Sequence, residues 1–110
     1  MPGFELIGNE EFDEVKEVFE KSKILFRHGF EPLRNGIFKV REFEKAFSEY
    51  MGVNDALAVT SGTAALKVAL KALGIGKGDE VITQSFTFVA TVEAIIEAGA
   101  TPVICEIDRT

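Results

Sequence analysis

The stretch "AVTSGTAALKVAL", Ala58 to Leu70, decides the fold, because a bend of small residues joins an apolar segment of strand length to a helical pattern. Ser61, Gly62 and Thr63 form the bend. After the bend, alanine, leucine and valine recur at the three- and four-residue spacing of a helix face. The stretch therefore predicts a strand that leads directly into a helix.

The same alternation continues to the end of the sequence. Strands that alternate with helices predict right-handed crossovers and a parallel sheet with helices packed on its faces. We therefore expect an α/β fold, with a βαβαβ segment over residues 53–110. The segments that predict strands are "DALAVTS" (55–61), "DEVITQS" (79–85) and "TPVICEI" (101–107), and those that predict helices are "TAALKVALKALG" (63–74) and "FVATVEAIIEAG" (88–99).

The first half of the sequence has a different character and predicts two helices. Apolar residues recur at helical spacing from Asn9, a plausible cap, to about Phe26. A second helix is predicted from about Val40 to Met51, with Gly52 as its stop. Between them, the basic stretch "RHGFEPLRNGIF" is rich in residues that break helices and predicts an irregular loop. We expect an N-terminal helical segment over residues 1–52.

Composition and charge exclude several classes of function. At 110 residues, 46% hydrophobic and 27% charged, the sequence is typical of one packed domain. A net charge of −6 without a basic patch argues against nucleic-acid binding. No stretch resembles a signal peptide or a membrane span, so we expect a cytoplasmic protein without membrane contacts. Cys105 is the only cysteine, which excludes an internal disulfide and a cysteine-based metal cage.

The bend at Ser61 predicts an anion site. The first amides of a helix lack intrahelical acceptors and carry partial positive charge, so they bind phosphate groups well. Gly62 permits close approach of an anion, and the hydroxyls of Ser61 and Thr63 add donors. The alternative is that Ser61 or Thr63 only caps the helix, a position that serine and threonine favour without any ligand.

A second bend, in "QSFTFVATVEA", repeats the arrangement at the end of the next predicted strand. It sets Phe86 and Phe88 beside the hydroxyls of Ser85, Thr87 and Thr91. A planar ring could stack on one of these phenylalanines while its phosphate binds at the neighbouring helix start. Either phenylalanine could instead belong to the core. Together the two bends favour a flat, phosphorylated cofactor.

Four motifs in fixed order, "SGTAAL", "GDEVI", "SFTFVAT" and "GATPV", give the sequence a specific family resemblance. From about Phe38 to Thr110 it resembles the N-terminal part of the DegT/DnrJ/EryC1/StrS sugar aminotransferases. These are pyridoxal-phosphate enzymes with the aspartate aminotransferase type of fold (fold type I). The resemblance implies that the sequence forms the first portion of their large, cofactor-binding domain.

The resemblance also implies roles for individual residues. It places Gly62, Thr63 and Ala64 at the phosphate of pyridoxal 5'-phosphate, with Ser61 as a weaker candidate, and Phe88 against the face of the pyridine ring. It further implies a keto sugar nucleotide as substrate, an amino acid as amino donor, and a homo-oligomer with sites built between subunits.

The resemblance places the Schiff-base lysine and the carboxylate that protonates the pyridine nitrogen beyond Thr110. Transamination needs both groups, so we assign no catalytic residue and no metal ligand to these 110 residues and expect weak or absent cofactor binding. Lys67, Lys71 and Lys77 are expected to face solvent. A parallel sheet with an open edge should also associate with copies of itself.

Two functions of different class therefore remain. The first is an N-terminal fragment of a pyridoxal-phosphate-dependent aminotransferase, and the second is a free-standing, non-catalytic module for oligomerisation or anion binding. A dinucleotide-binding domain is disfavoured, because "SGTAAL" lacks the glycine spacing of that fold and "ITQS" lacks an acidic residue at the strand end.

Overall fold

The computed structural model describes residues 3–108 and divides into two compact units, of which one ends at Ala58 and the other begins at Val59. Four helices and a parallel pair of strands confirm the α/β class. Three single turns accompany them: 3₁₀ turns at Phe4–Leu6 and Glu31–Leu33, and a π turn at Val18–Ser22. The longer elements are α1 (Asn9–Glu17), α2 (Lys39–Met51), α3 (Gly62–Ala72), β1 (Glu80–Gln84), α4 (Val89–Ala98) and β2 (Thr101–Cys105).

The first predicted helix is shorter than its apolar pattern suggested. Its N-cap is Gly8 rather than Asn9, and the Gly8 amide donates to the Glu11 carboxylate at 2.7 Å. After the π turn, Lys23 adopts a left-handed conformation with φ 57°, which stops the helical backbone. The apolar residues between Ile24 and Phe26 therefore belong to the loop that follows and not to the helix.

A buried arginine organises this loop. Arg34 is only 4% exposed, and its guanidinium donates to the carbonyl oxygens of Phe26 and Gly29, the latter at 2.7 Å. Its Cζ also lies 5.4 Å from the centre of the Phe38 ring. The planar guanidinium thus holds loop carbonyls that no strand or helix pairs. Sequence alone indicated a basic loop but not that one of its arginines is interior.

The helix α2 carries a buried carboxylate on one face and ends as the sequence predicts. Gly52 follows it with φ 65°, a conformation that costs glycine little. Glu44 is 9% exposed and accepts hydrogen bonds from the Ala58 amide at 2.8 Å and from Arg27 Nε at 3.1 Å. The amide of Ala58 and then the Arg27 guanidinium lower the pKa of Glu44 below its ordinary value.

The second unit is built on two parallel strands with α4 as their crossover. The strands pair in register from Glu80 opposite Thr101 to Gln84 opposite Cys105. The helix α4 packs against both strands and against α3. The buried hydrophobic residues of the described chain all lie in this unit: Ala90, Ala94, Ile95 and Ala100.

The predicted first strand, 55–61, is the one element that the structure contradicts. Within residues 3–108 no other backbone segment forms hydrogen bonds with residues 55–60, and the amide of Ala58 donates to the Glu44 side chain instead. A strand requires a ladder partner, and a local apolar run cannot supply one. The sheet therefore has two strands, and the βαβαβ prediction becomes αβαβ in the described residues.

Candidate cofactor site

The helices α3 and α4 pack against each other in the second unit. Lys67, in the middle of α3, forms an ion pair with Glu97 near the end of α4, with Nζ and Oε2 2.5 Å apart. A cleft of about 260 Å³ is lined by the second halves of both helices, including Lys71 and Ala98. The lining of this cleft includes neither the bend at Ser61 nor the bend before Val89.

At the start of α3, Ser61 acts as the helix cap. Its Oγ accepts the Ala64 amide at 3.1 Å, and its carbonyl oxygen accepts the Ala65 amide at 3.0 Å. The amides of Gly62 and Thr63 have no acceptor within residues 3–108. Capping by Ser61 therefore leaves the amides of Gly62 and Thr63 available as donors.

The environment of Gly62 supports the close approach of a ligand. Its φ is not positive, and a Cβ built on it would meet no atom within 4 Å. Neither backbone conformation nor packing in the described residues therefore requires glycine at this position. Thr63 follows as a half-buried residue whose hydroxyl forms no hydrogen bond in the described structure.

At the start of α4, Phe88 occupies the N-cap position with φ −69° and ψ 142°. Its side chain is 77% exposed, so a ring face is open to a ligand. Phe86, two residues earlier, is 81% exposed. Neither phenylalanine belongs to the core of the second unit in the described residues.

A pair of threonines beside Phe88 makes a contact that the sequence analysis did not single out. Thr87 Oγ1 and Thr91 Oγ1 lie 2.8 Å apart, and both residues are half-buried. The four-residue spacing across a helix start was the signal available in the sequence. The contact places one hydroxyl on each side of Phe88 along the chain.

The lysines of this unit lie away from the two helix starts. Lys67 is held by Glu97, and Lys71 and Lys77 are exposed, as predicted. Lys67 and Lys71 line the cleft between α3 and α4 together with Glu97. No described helix is long and apolar enough to cross a membrane.

The residues at these two helix starts fit a phosphate monoester carried on a flat ring. The free amides of Gly62 and Thr63 and the Thr63 hydroxyl can donate to phosphate oxygens, and the exposed ring of Phe88 can stack on an aromatic plane. Pyridoxal 5'-phosphate has both parts.

Sequence similarity to known proteins identifies the family of the chain. The DegT/DnrJ/EryC1/StrS aminotransferase family model matches residues 6–110. The spore coat polysaccharide biosynthesis protein SpsC of Bacillus subtilis is 50% identical over 104 residues, which are 94% of this chain and 24% of SpsC. The GDP-perosamine synthase of Caulobacter vibrioides is 52% identical over 67 residues, 61% of this chain and 18% of that enzyme.

A solved structure shows the same architecture. Spr1654 of Streptococcus pneumoniae, assigned as a sugar aminotransferase and solved in its PLP form, superposes with a TM-score of 0.77 and 31% identity. The match covers 93% of this chain and 24% of Spr1654. The chain spans about a quarter or less of the length of these proteins. The motifs, the fold and the family match over residues 6–110 agree, and the chain belongs to the DegT/DnrJ/EryC1/StrS aminotransferase family.

Proposed function

We propose that this chain is the N-terminal, cofactor-phosphate portion of a pyridoxal-phosphate-dependent aminotransferase that acts on a keto sugar nucleotide. The observation that carries the proposal is the start of α3, where the Gly62 and Thr63 amides are free beside an open glycine. The name of the GDP-perosamine synthase relative supports a nucleotide sugar as the substrate class. The amino donor in this proposal is an amino acid.

Each residue has a distinct task in this proposal. Gly62 and Thr63 bind the phosphate through their amides, and the Thr63 hydroxyl adds a third donor. Ser61 holds the first turn of α3 in shape by accepting the Ala64 amide. Phe88 stacks on the ring and fixes its plane. When bound, the cofactor supplies an electron sink for the transfer of an amino group.

The Schiff-base lysine lies outside these 110 residues in this proposal. The ion pair of Lys67 with Glu97 and the exposure of Lys71 and Lys77 support it. Borohydride treatment of the chain with pyridoxal 5'-phosphate should therefore label lysines sparsely and without preference, as read by peptide mass spectrometry. Stoichiometric labelling of a single lysine would contradict this part of the proposal.

A chimera tests the function directly. The 67-residue stretch of the GDP-perosamine synthase that matches this chain is replaced by the stretch from this chain, and formation of GDP-perosamine is measured. The proposal predicts an active chimera that loses most of its activity with Thr63→Val and keeps it with Thr63→Ser, which retains the hydroxyl.

An inactive but folded chimera would favour the alternative function, a non-catalytic module for oligomerisation or anion binding. In that case the isolated chain would still self-associate or bind phosphate. The two functions therefore predict different results in one assay, the formation of GDP-perosamine by the chimera.

A further inference from the structure

We propose that Thr87 and Thr91 are positioning residues that hold Phe88 for ring stacking. This inference rests on the proposed function, since it assumes that Phe88 contacts the pyridine ring. Phe88 is highly exposed, so packing around its ring does not fix the face that it presents.

The start of α4 lacks the cap that stabilises the start of α3. Ser61 accepts the Ala64 amide there, whereas Phe88 stands at the N-cap of α4 and its ring has no acceptor for such a bond. An uncapped first turn frays readily, because its amides have no intrahelical acceptors. Fraying would move the backbone that carries Phe88.

A contact between two threonine side chains spans this uncapped helix start. Thr87 precedes Phe88, and Thr91 is the third residue of α4. Their hydroxyl oxygens are 2.8 Å apart, and the Thr91 amide donates to the Phe88 carbonyl oxygen at 3.0 Å. The two contacts close a loop around Phe88, so its backbone is fixed on both sides while its ring stays 77% exposed.

Phe86 provides the internal comparison. It is as exposed as Phe88 and lies in the same bend. In the described structure, however, no side-chain contact joins the residues before and after it. When contacts on both sides restrain the backbone of a residue, its ring moves mainly by side-chain rotation. Such a ring loses less conformational entropy on stacking than a ring on a mobile backbone. We therefore assign the stacking role to Phe88 rather than to Phe86.

The test compares two ligands that share a phosphate. Binding of pyridoxine 5'-phosphate, which has the ring but no aldehyde, and of inorganic phosphate to the full chain is followed by ³¹P nuclear magnetic resonance. The ratio of the two affinities isolates the contribution of the ring. The double variant Thr87→Val/Thr91→Val removes both hydroxyls and preserves the shape of the side chains. It should lower the affinity for pyridoxine 5'-phosphate by roughly two- to tenfold and leave the affinity for inorganic phosphate unchanged.

Controls separate positioning from folding. Thr101→Val, an exposed threonine on β2, should alter neither affinity, and Thr87→Ser/Thr91→Ser should restore the wild-type ratio. If the double valine variant fails to fold, the single Thr87→Val variant, whose substitution lies outside α4, carries the test. Loss of both affinities together would indicate a purely structural role and would overturn the inference.

The outcomes also distinguish this inference from the proposed function. If Phe88→Leu lowers the ring contribution and the threonine variants do not, the stacking role stands and the positioning role fails. If the wild-type chain shows no saturable binding of pyridoxine 5'-phosphate, the phosphate site fails, and the positioning role fails with it.

Discussion

Neighbouring residues at the start of α3 have separate tasks. Ser61 accepts the Ala64 amide, whereas the amides of Gly62 and Thr63 have no acceptor in the described chain. A serine at this position would satisfy the sequence statistics of a helix cap whether or not a ligand binds. The open space beside Gly62 leaves room for an anion at these two amides.

Replacement of the cap tests this division of tasks. Ser61→Ala should lower the free energy of unfolding by about 1 kcal/mol, measured by urea denaturation, and Ser61→Asn should restore it. Affinity for inorganic phosphate should not fall in Ser61→Ala, because the substitution frees the Ala64 amide. A fall in affinity at unchanged stability would make Ser61 a ligand rather than a cap.

The complementary substitution is Gly62→Ala. Alanine suits a helix start at least as well as glycine, so the free energy of unfolding should stay equal or rise by up to about 1 kcal/mol. The added methyl group should nevertheless obstruct an anion at the free amides and weaken phosphate binding. Unchanged phosphate affinity in a stable variant would show that the anion does not approach this face.

At the scale of elements, the segment that leads out of α2 depends on a side chain and not on a sheet. The Glu44 carboxylate accepts one hydrogen bond from the Ala58 amide and another from Arg27 Nε. Both contacts favour the charged carboxylate and lower the pKa of Glu44 in the folded chain. The stabilisation is therefore present above the unfolded-state pKa and is lost as the pH falls through the lower folded-state value.

Glu44→Gln should remove the contribution of Glu44 to the pH dependence of the free energy of unfolding. The wild-type free energy of unfolding should decline as the pH falls below the ordinary range of a glutamate, and the decline should be shallower in the variant. Glu49→Gln, on the exposed surface of the same helix, is the matched control and should keep the wild-type slope. If the free energy of unfolding depends on pH in the same way in all three proteins, proton binding by Glu44 does not contribute to stability.

Local signals predicted some elements well and others poorly. The ends of α2 at Gly52 and of α4 at Gly99 follow from a left-handed residue that glycine adopts easily, which is a local property. The hydrogen bond by which Ser61 caps α3 is likewise a local feature that serine at a helix start indicates. The strand at 55–61 failed because pairing depends on a partner segment, and the interior position of Arg34 was missed because burial depends on the whole loop.

At the scale of the whole molecule, the described chain exposes much of its apolar surface. Ile82 on β1 is 72% exposed, Leu73 after α3 is 76% exposed, and no large side chain is fully buried in the described residues. The parallel pair β1 and β2 also has an open edge on each strand within the described residues. Apolar surface and open edges of this kind favour association.

We therefore expect the chain to form homo-oligomers. Sedimentation velocity over a range of concentrations should show species heavier than one chain, with a distribution that shifts upward with concentration. Ile82→Lys, which places a charge on the exposed strand surface, should reduce the association. A single species of one chain at all concentrations would contradict the expectation.

The central claim is that the first amides of α3 bind the phosphate of a vitamin B6 cofactor. The most direct measurement is an amide ¹H–¹⁵N titration of the chain with pyridoxine 5'-phosphate. We expect weak binding that saturates only at high ligand concentration, with shifts that are largest at Gly62 and Thr63, smaller at Ala64, and present at Phe88. Shifts concentrated in the basic loop around Arg27 and Arg34, with none at Gly62 and Thr63, would contradict it.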